Sequence, residues 1–193
     1  MALRSVLSQS KAAIVERWRQ SVLESYPADA YRLFSQTKDR FCNPVGHAIG
    51  QGLEALYEGL LEGAGAERLS SALDEIVRIR AVQDFTPSQA VAFVFQLKKA
   101  VRSELGSRIA EAPLAGEWEA LESRIDELAL LAFDVYMQCR EKLHEIRANE
   151  LKQQSFALWE RLERTQGAAA PGNGPAREAG APPARNLKEG NGP

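Results

Sequence analysis

A chain of 193 residues with 45% hydrophobic and 26% charged residues has an ordinary globular composition. Its net charge of -2 offers no basic excess for nucleic acid and no polybasic patch for a lipid surface. Its two cysteines, Cys42 and Cys139, form no CxxC and belong to no ligand set of metal-binding spacing.

The N-terminus has no apolar core of the kind a signal peptide carries. The longest apolar stretch, Ala90 to Leu97, is broken by Gln96 and is far too short to span a bilayer. These features predict a cytoplasmic protein with reduced thiols and no direct membrane insertion. Residues 167–193 are mostly Gly, Ala and Pro, with Leu187 as the one large aliphatic. Such a segment buries too little apolar surface to offset the entropy of ordering it, so a disordered tail is expected. Residues 1–166 then suit one domain.

Helical spacing dominates that domain, and no strand alternation interrupts it. The first predicted helix runs from Ser5 to Ser25, with Val6, Leu7, Ile14, Trp18, Val22 and Leu23 on one face. Pro27 stops it and opens a short second helix to Gln36. Phe34 and Phe41 are expected to anchor the following turn. Asn43-Pro44 then reads as a helix start, an Asn cap followed by Pro at the first helical position. The third helix carries an apolar stripe, Val45, Ile49, Leu53, Leu56 and Leu60. Beside it runs a row of small residues, Ala48, Gly52, Ala55 and Gly59, which predicts close approach of another helix. Helical glycines cost about 1 kcal/mol each against alanine, which makes a packing reason plausible.

A fourth helix is predicted from Glu67 to Gln83 and a fifth from Pro87 to Glu111. Thr86-Pro87-Ser88-Gln89 between them is a capping box with Pro at the first position. The fifth helix is apolar on most sides between Ala90 and Leu97, which places it at the bundle centre. Pro113 and Gly116 mark the break before a last helix over about 116–165. Its seam is Leu121, Ile125, Leu128, Ala132, Val135 and Cys139, in steps of four and three. The pattern fades across Arg147–Ser155 and resumes with Phe156, Trp159 and Leu162. About 50 helical residues would reach about 75 Å, roughly twice the width of such a domain. The distal end is therefore expected to project, to pair with another chain, or to fold back. The fold class is all-α, a bundle of about six helices.

No nucleophile elbow, no Cys with His and Asn, and no phosphate loop is present, so no catalytic residue is assigned. His47 and His144 are the two histidines. His47 lies off the apolar stripe and suits a polar network near Asn43 better than a haem or metal. No metal or cofactor is expected. The polar group that resists a surface reading is Lys38, Asp39 and Arg40 with Arg78, Arg80 and Asp84. Apolar Ile76, Val77, Ile79 and Val82 surround the two arginines, so at least one should lie against other protein. A partly buried guanidinium wants a carboxylate, and Asp39 and Asp84 are the candidates. The group reads either as an ion-pair network locking two corners together, or as a ligand pocket or partner-docking face. Asn43 and His47 belong to the same region.

Several words of the sequence resemble the N-terminal domain of the RsbT co-antagonist protein RsbRD. They are Ile14-Val15-Glu16-Arg17-Trp18, Tyr26-Pro27, Lys38-Asp39-Arg40-Phe41, Asn43-Pro44-Val45-Gly46-His47, Gly52-Leu53 and the run from Ile76 to Phe85, continued by Ser88-Gln89-Ala90-Val91. The resemblance spans Ala12 to Glu150. It implies an all-helical sensory domain of stressosome-type regulators, related to globin-like sensors that lack haem and often followed by a STAS domain. No STAS domain follows here, so a stand-alone regulator or adaptor is expected. The family context also implies a second option, an accessory subunit of a membrane-associated redox complex; a haem- or small-ligand-binding globin-like protein is a third. Protein partners and a homodimer through the last helix are expected, with Phe156, Trp159 and Leu162 as the interaction stripe.

Overall fold

A computed structural model describes residues 3–36, 41–83, 85–110 and 112–168. Among these the chain forms seven α-helices and no strand: α1 (Leu3–Gln9), α2 (Lys11–Leu23), α3 (Ala28–Gln36), α4 (Pro44–Glu62), α5 (Ala66–Ala81), α6 (Pro87–Leu105) and α7 (Ala112–Ala168). A short 3-10 turn, Gly106–Ala110, joins the last two. The all-α class and the long last helix match the reading of the sequence. The count rises because the first predicted helix is two. The backbone breaks at Ser10, with φ -94° and ψ 8°. This lets Leu3, Val6 and Leu7 of α1 and Ile14, Trp18 and Val22 of α2 all reach the core. Neither Gly nor Pro marks that break.

Local chemistry sets the starts of α4 and α6. Asn43 Oδ1 accepts from Gly46 N at 2.8 Å, and Pro44 occupies the first turn. Thr86 and Gln89 form the reciprocal capping box. Gly63, at φ 75°, ends α4 in the left-handed region that favours glycine. The fifth predicted helix stops early, at Leu105, because Gly106 takes φ 57°. The last helix begins at Ala112, before Pro113, since a proline in the first turn loses no intrahelical bond.

The small-residue row of α4 does admit a neighbour. A Cβ on Gly52 would stand 2.8 Å from Ile76 Cγ1, and one on Gly59 would stand 2.9 Å from Leu69 Cδ2. Helix α5 therefore packs directly on this row. Helix α6 is less central than expected. It buries Ala90, Phe93, Val94, Leu97 and Val101 but leaves Phe95 exposed. Trp18 of α2 stacks on Phe93 at 6.5 Å and donates from Nε1 to the Phe93 carbonyl at 2.6 Å. Phe34 packs inward, whereas Phe41 is 90% exposed and does not anchor the turn from within.

Two compact units divide the chain, Met1–Asn149 and Glu150–Pro193. Within the first, α7 buries Ile125, Leu128, Ala132 and Val135 of the predicted seam and leaves Leu121 and Cys139 half-buried against the core. Arg124 Nη1 donates to the Leu60 carbonyl at 2.6 Å, and Arg140 Nη1 to the Ala81 carbonyl at 3.3 Å. Each arginine thus serves the carbonyl end of another helix, where a cation is favoured. The opposite face of α7 exposes Leu130, Phe133 and Met137. In the second unit, described over 150–168, the chain is helical, and Leu151, Phe156, Leu158, Trp159 and Leu162 are exposed. The predicted tail lies outside the described residues apart from Gly167 and Ala168, which close α7. No helix among the described residues is long and apolar enough to cross a membrane.

Candidate functional site

Arg78 and Arg80 stand two positions apart on α5, so they face opposite sides of the helix. Arg78 is solvent-exposed and pairs with Asp74 at 2.6 Å, one turn back on the same helix. Arg80 is 1% exposed. The expected cluster of both arginines is therefore not one site. Lys38, Asp39, Arg40 and Asp84 lie outside the described residues.

Arg80 is held by aromatic faces. Its Cζ lies 4.3 Å from the Phe85 ring centroid, 5.1 Å from Tyr26 and 5.8 Å from Phe93. Desolvated cation–π contacts of this kind stabilise a guanidinium by about 2 kcal/mol or more. Nη2 donates to Ser25 Oγ at 3.0 Å and to the Gln89 carbonyl at 3.1 Å. Nε and Nη1 have no hydrogen-bond partner. No carboxylate among the described residues pairs with this cation. Burial pushes its proton affinity down, opposed by the neighbouring Tyr26.

A cleft of about 630 Å³ opens over this group, between the α2–α3 junction and the α5–α6 corner. Its walls include Ser25, Tyr26, Ala30, Gln83, Phe85 and Gln89. Four of these touch the guanidinium, which lies one layer beneath the surface of the cleft. Tyr26 Oη and Gln83 Oε1 are buried and make no close hydrogen bond, although the Tyr26 phenol lies within electrostatic reach of the guanidinium. Burial pushes the Tyr26 phenol up, with the adjacent guanidinium pulling the other way. Buried polar atoms without partners are uncommon, and three residues with them converge here.

The corner is tied to its surroundings on both sides. Toward the α4 cap, the Tyr26 ring meets Phe34 edge-on at 5.3 Å, and Asn43 Nδ2 donates to the Phe34 carbonyl at 2.9 Å. Toward α7, Tyr136 Oη donates to the Phe85 carbonyl at 3.4 Å, beside the Arg140–Ala81 bond. His47 is half-buried and lines two other grooves, one with Asn43 and Phe34 and one with Phe41 and Glu75. His144 is exposed. Among the described residues, no group of His, Cys, Asp or Glu is placed to hold a metal ion. Cys42 is exposed, and Cys139 is half-buried beside the Asp74–Arg78 pair.

Sequence reasoning named Arg80 but missed its shell. Tyr26, Phe85 and Phe93 come from three separate segments, and no spacing rule links them. A signal was present: Tyr26-Pro27 and the run ending in Phe85 are both words of the family resemblance.

The domain family described as "RsbT co-antagonist protein rsbRD N-terminal domain" matches residues 12–151. The chain belongs to this family. Membership makes it a signalling or regulatory domain. The RsbRD N-terminal domain thus takes in every element from α2 to α6 and most of α7. The chain is also similar to an uncharacterised protein of Archaeoglobus fulgidus. The two are 28% identical over 139 residues, which cover 71% of this chain and 82% of the relative. No solved structure matches.

Proposed function

We propose that this RsbRD N-terminal domain is a non-catalytic sensor of the cytoplasm that works through protein–protein contact, and that a signal received at the Arg80 corner shifts α7. One observation carries the reading. Phe85 covers the buried guanidinium with its ring and accepts Tyr136 of α7 at its carbonyl. A change around Arg80 that moves Phe85 therefore acts on the helix through a direct bond, and Arg140 gives a second bond from the same helix to the end of α5.

Exposed apolar side chains in each unit support the contact half of the proposal. Leu130, Phe133 and Met137 repeat in steps of three and four, and Phe156, Trp159 and Leu162 in steps of three, all exposed. We read these stripes as homodimer surfaces. Light scattering on the full chain tests this directly. A dimer that becomes monomeric in the double variant Phe156→Asp, Trp159→Asp is the expected outcome. A monomeric wild-type protein would sink the homodimer. Coupling through the corner is tested by hydrogen exchange: Tyr136→Phe should raise exchange at the amides of 85–90, and unchanged protection there would count against a route from corner to helix.

A further inference from the structure

We propose that the cleft over Arg80 binds a small monocarboxylate with an apolar or aromatic body, its carboxylate accepting from the buried guanidinium. The inference deepens the sensory reading of the same corner by naming the class of signal. It rests on that reading only for its consequence, not for the binding itself.

The charge comes first. A guanidinium carries five N–H donors and stays protonated in proteins. Here Nη2 is used, while Nε and Nη1 have no partner and Arg80 is 1% exposed. Aromatic faces stabilise the positive charge but accept no conventional hydrogen bond. Among the described residues this buried cation has no counter-charge and no acceptor for Nε and Nη1, and a carboxylate supplies both.

The walls then select the ligand. Among the described residues lining the cleft there is no lysine and no arginine, so Arg80 beneath it is the one cation at hand. One positive charge balances a monoanion, whereas a phosphate dianion would be left half-neutralised. The cleft's volume, about 630 Å³, suits a small organic molecule. Tyr26, Pro27, Ala30 and Phe85 offer apolar surface for its body. Tyr26 Oη is an unpaired donor on the same wall, and Gln83 Oε1 is an unpaired acceptor for a hydroxyl or amine on the ligand.

The guanidinium lies beneath the lining, so a carboxylate reaches it only if a covering side chain gives way. Phe85 and Tyr26 are those covers, and their rings meet edge-on at 5.2 Å. Binding therefore requires the side-chain displacement that the Tyr136–Phe85 bond would pass to α7.

The test uses isotope-labelled full-length protein, titrated with benzoate, with hexanoate and with the neutral isostere benzamide at millimolar concentration. Benzoate or hexanoate should give saturable shifts at the Gln83, Phe85 and Gln89 amides and at the Arg80 Nε–H. Benzamide should bind at least about tenfold more weakly, the loss expected when a charge-assisted bond is replaced by a neutral one. Arg80→Met should abolish the response, and Arg78→Met should leave it intact. The proposal is overturned if neither carboxylate gives saturable shifts, if benzamide binds as well, or if Arg80→Met still responds. It is equally overturned if benzoate binds only after Asp84→Asn, because the chain would then be supplying its own carboxylate. None of these outcomes depends on the oligomeric state, so the homodimer reading stands or falls separately.

Discussion

The two ends of α5 are finished in opposite ways. Along its first eleven residues, Leu69 and Ile76 lie against the glycine row of α4, and the seam is closed by shape alone. At its far end, Arg80 sits buried among aromatic rings with unpaired donors, under a cleft that carries two more unpaired polar residues. The seam needs nothing from outside the chain. The corner has polar groups that its described neighbours leave incomplete, and such local departures from good packing are where function tends to sit.

The largest expected effect lies on the seam. Gly52→Ala should gain about 1 kcal/mol in helix propensity. It then forces a methyl to within 2.8 Å of Ile76 Cγ1 and 3.4 Å of the Ala72 carbonyl. Overpacking of a closed core costs about 1–3 kcal/mol, which outweighs the gain unless Ile76 can turn aside. Gly50 on the same helix is the control. Its added Cβ would meet Arg19 Cδ at 3.7 Å, an ordinary contact. Gly50→Ala should therefore raise stability by about 0.5–1 kcal/mol. Urea denaturation of both variants checks the pair; equal changes of the same sign would remove the argument for a shape-closed seam.

Two buried tyrosines give the next effect. Tyr57 Oη donates to the Leu7 carbonyl at 3.0 Å, whereas Tyr26 Oη has no partner. Tyr57→Phe should cost about 1–2 kcal/mol at neutral pH, and Tyr26→Phe under about 0.5 kcal/mol. Burial raises both phenols in the folded state. An unfolded phenol titrates near pH 10 (about), so the contribution is fully present below that pH. Above it, the unfolded state loses protons that the folded state keeps, and stability falls as pH rises. The slope approaches about 1.4 kcal/mol per pH unit for each phenol that stays protonated. Lys11, raised by its hydrogen bonds to Glu54 and Glu58, loses its contribution over the same alkaline window. Denaturation midpoints between neutral and alkaline pH should show a shallower fall in Tyr57→Phe than in wild type; identical slopes would exclude Tyr57 as a source.

Features written in neighbouring residues were legible in the sequence. The Asn43-Pro44 start, the Thr86–Gln89 box, the α4 stripe and the α7 seam each depend on residues within a few turns of one another. The Ser10 break was not legible, because tertiary burial on both sides of it, rather than a Gly or Pro, sets it. Phe41 is 90% exposed although an aromatic beside a cap suggests an anchor, because nothing local says which way it faces. For the arginines, the apolar surroundings correctly implied that one is buried. Which of the two depends on how α5 is rotated against α4, and Gly52 and Gly59 set that through contacts distant in sequence. The expected Asp39 and Asp84 partners lie outside the described residues, and the partners seen for Arg80 are rings, a hydroxyl and a carbonyl.

The smallest expected effect is the one that separates the two ends of α5 most sharply. Arg80→Met keeps much of the side chain's length and its contacts with Tyr26, Phe85 and Phe93. It gives up the cation–π attraction and the bonds to Ser25 Oγ and the Gln89 carbonyl. It also removes the cost of holding a desolvated charge with two unpaired nitrogens. Replacing a buried ionic group with an apolar one of similar size is often neutral or stabilising, so a change within about 1 kcal/mol of wild type is expected. A guanidinium that mainly served stability would behave otherwise: breaking a satisfied buried ion pair costs about 3–5 kcal/mol. Thermal or urea denaturation distinguishes the two. A near-neutral Arg80→Met means that the charge is kept for something other than folding, and a loss of the larger size would place Arg80 with Ile76 and Gly52 as part of the packed frame.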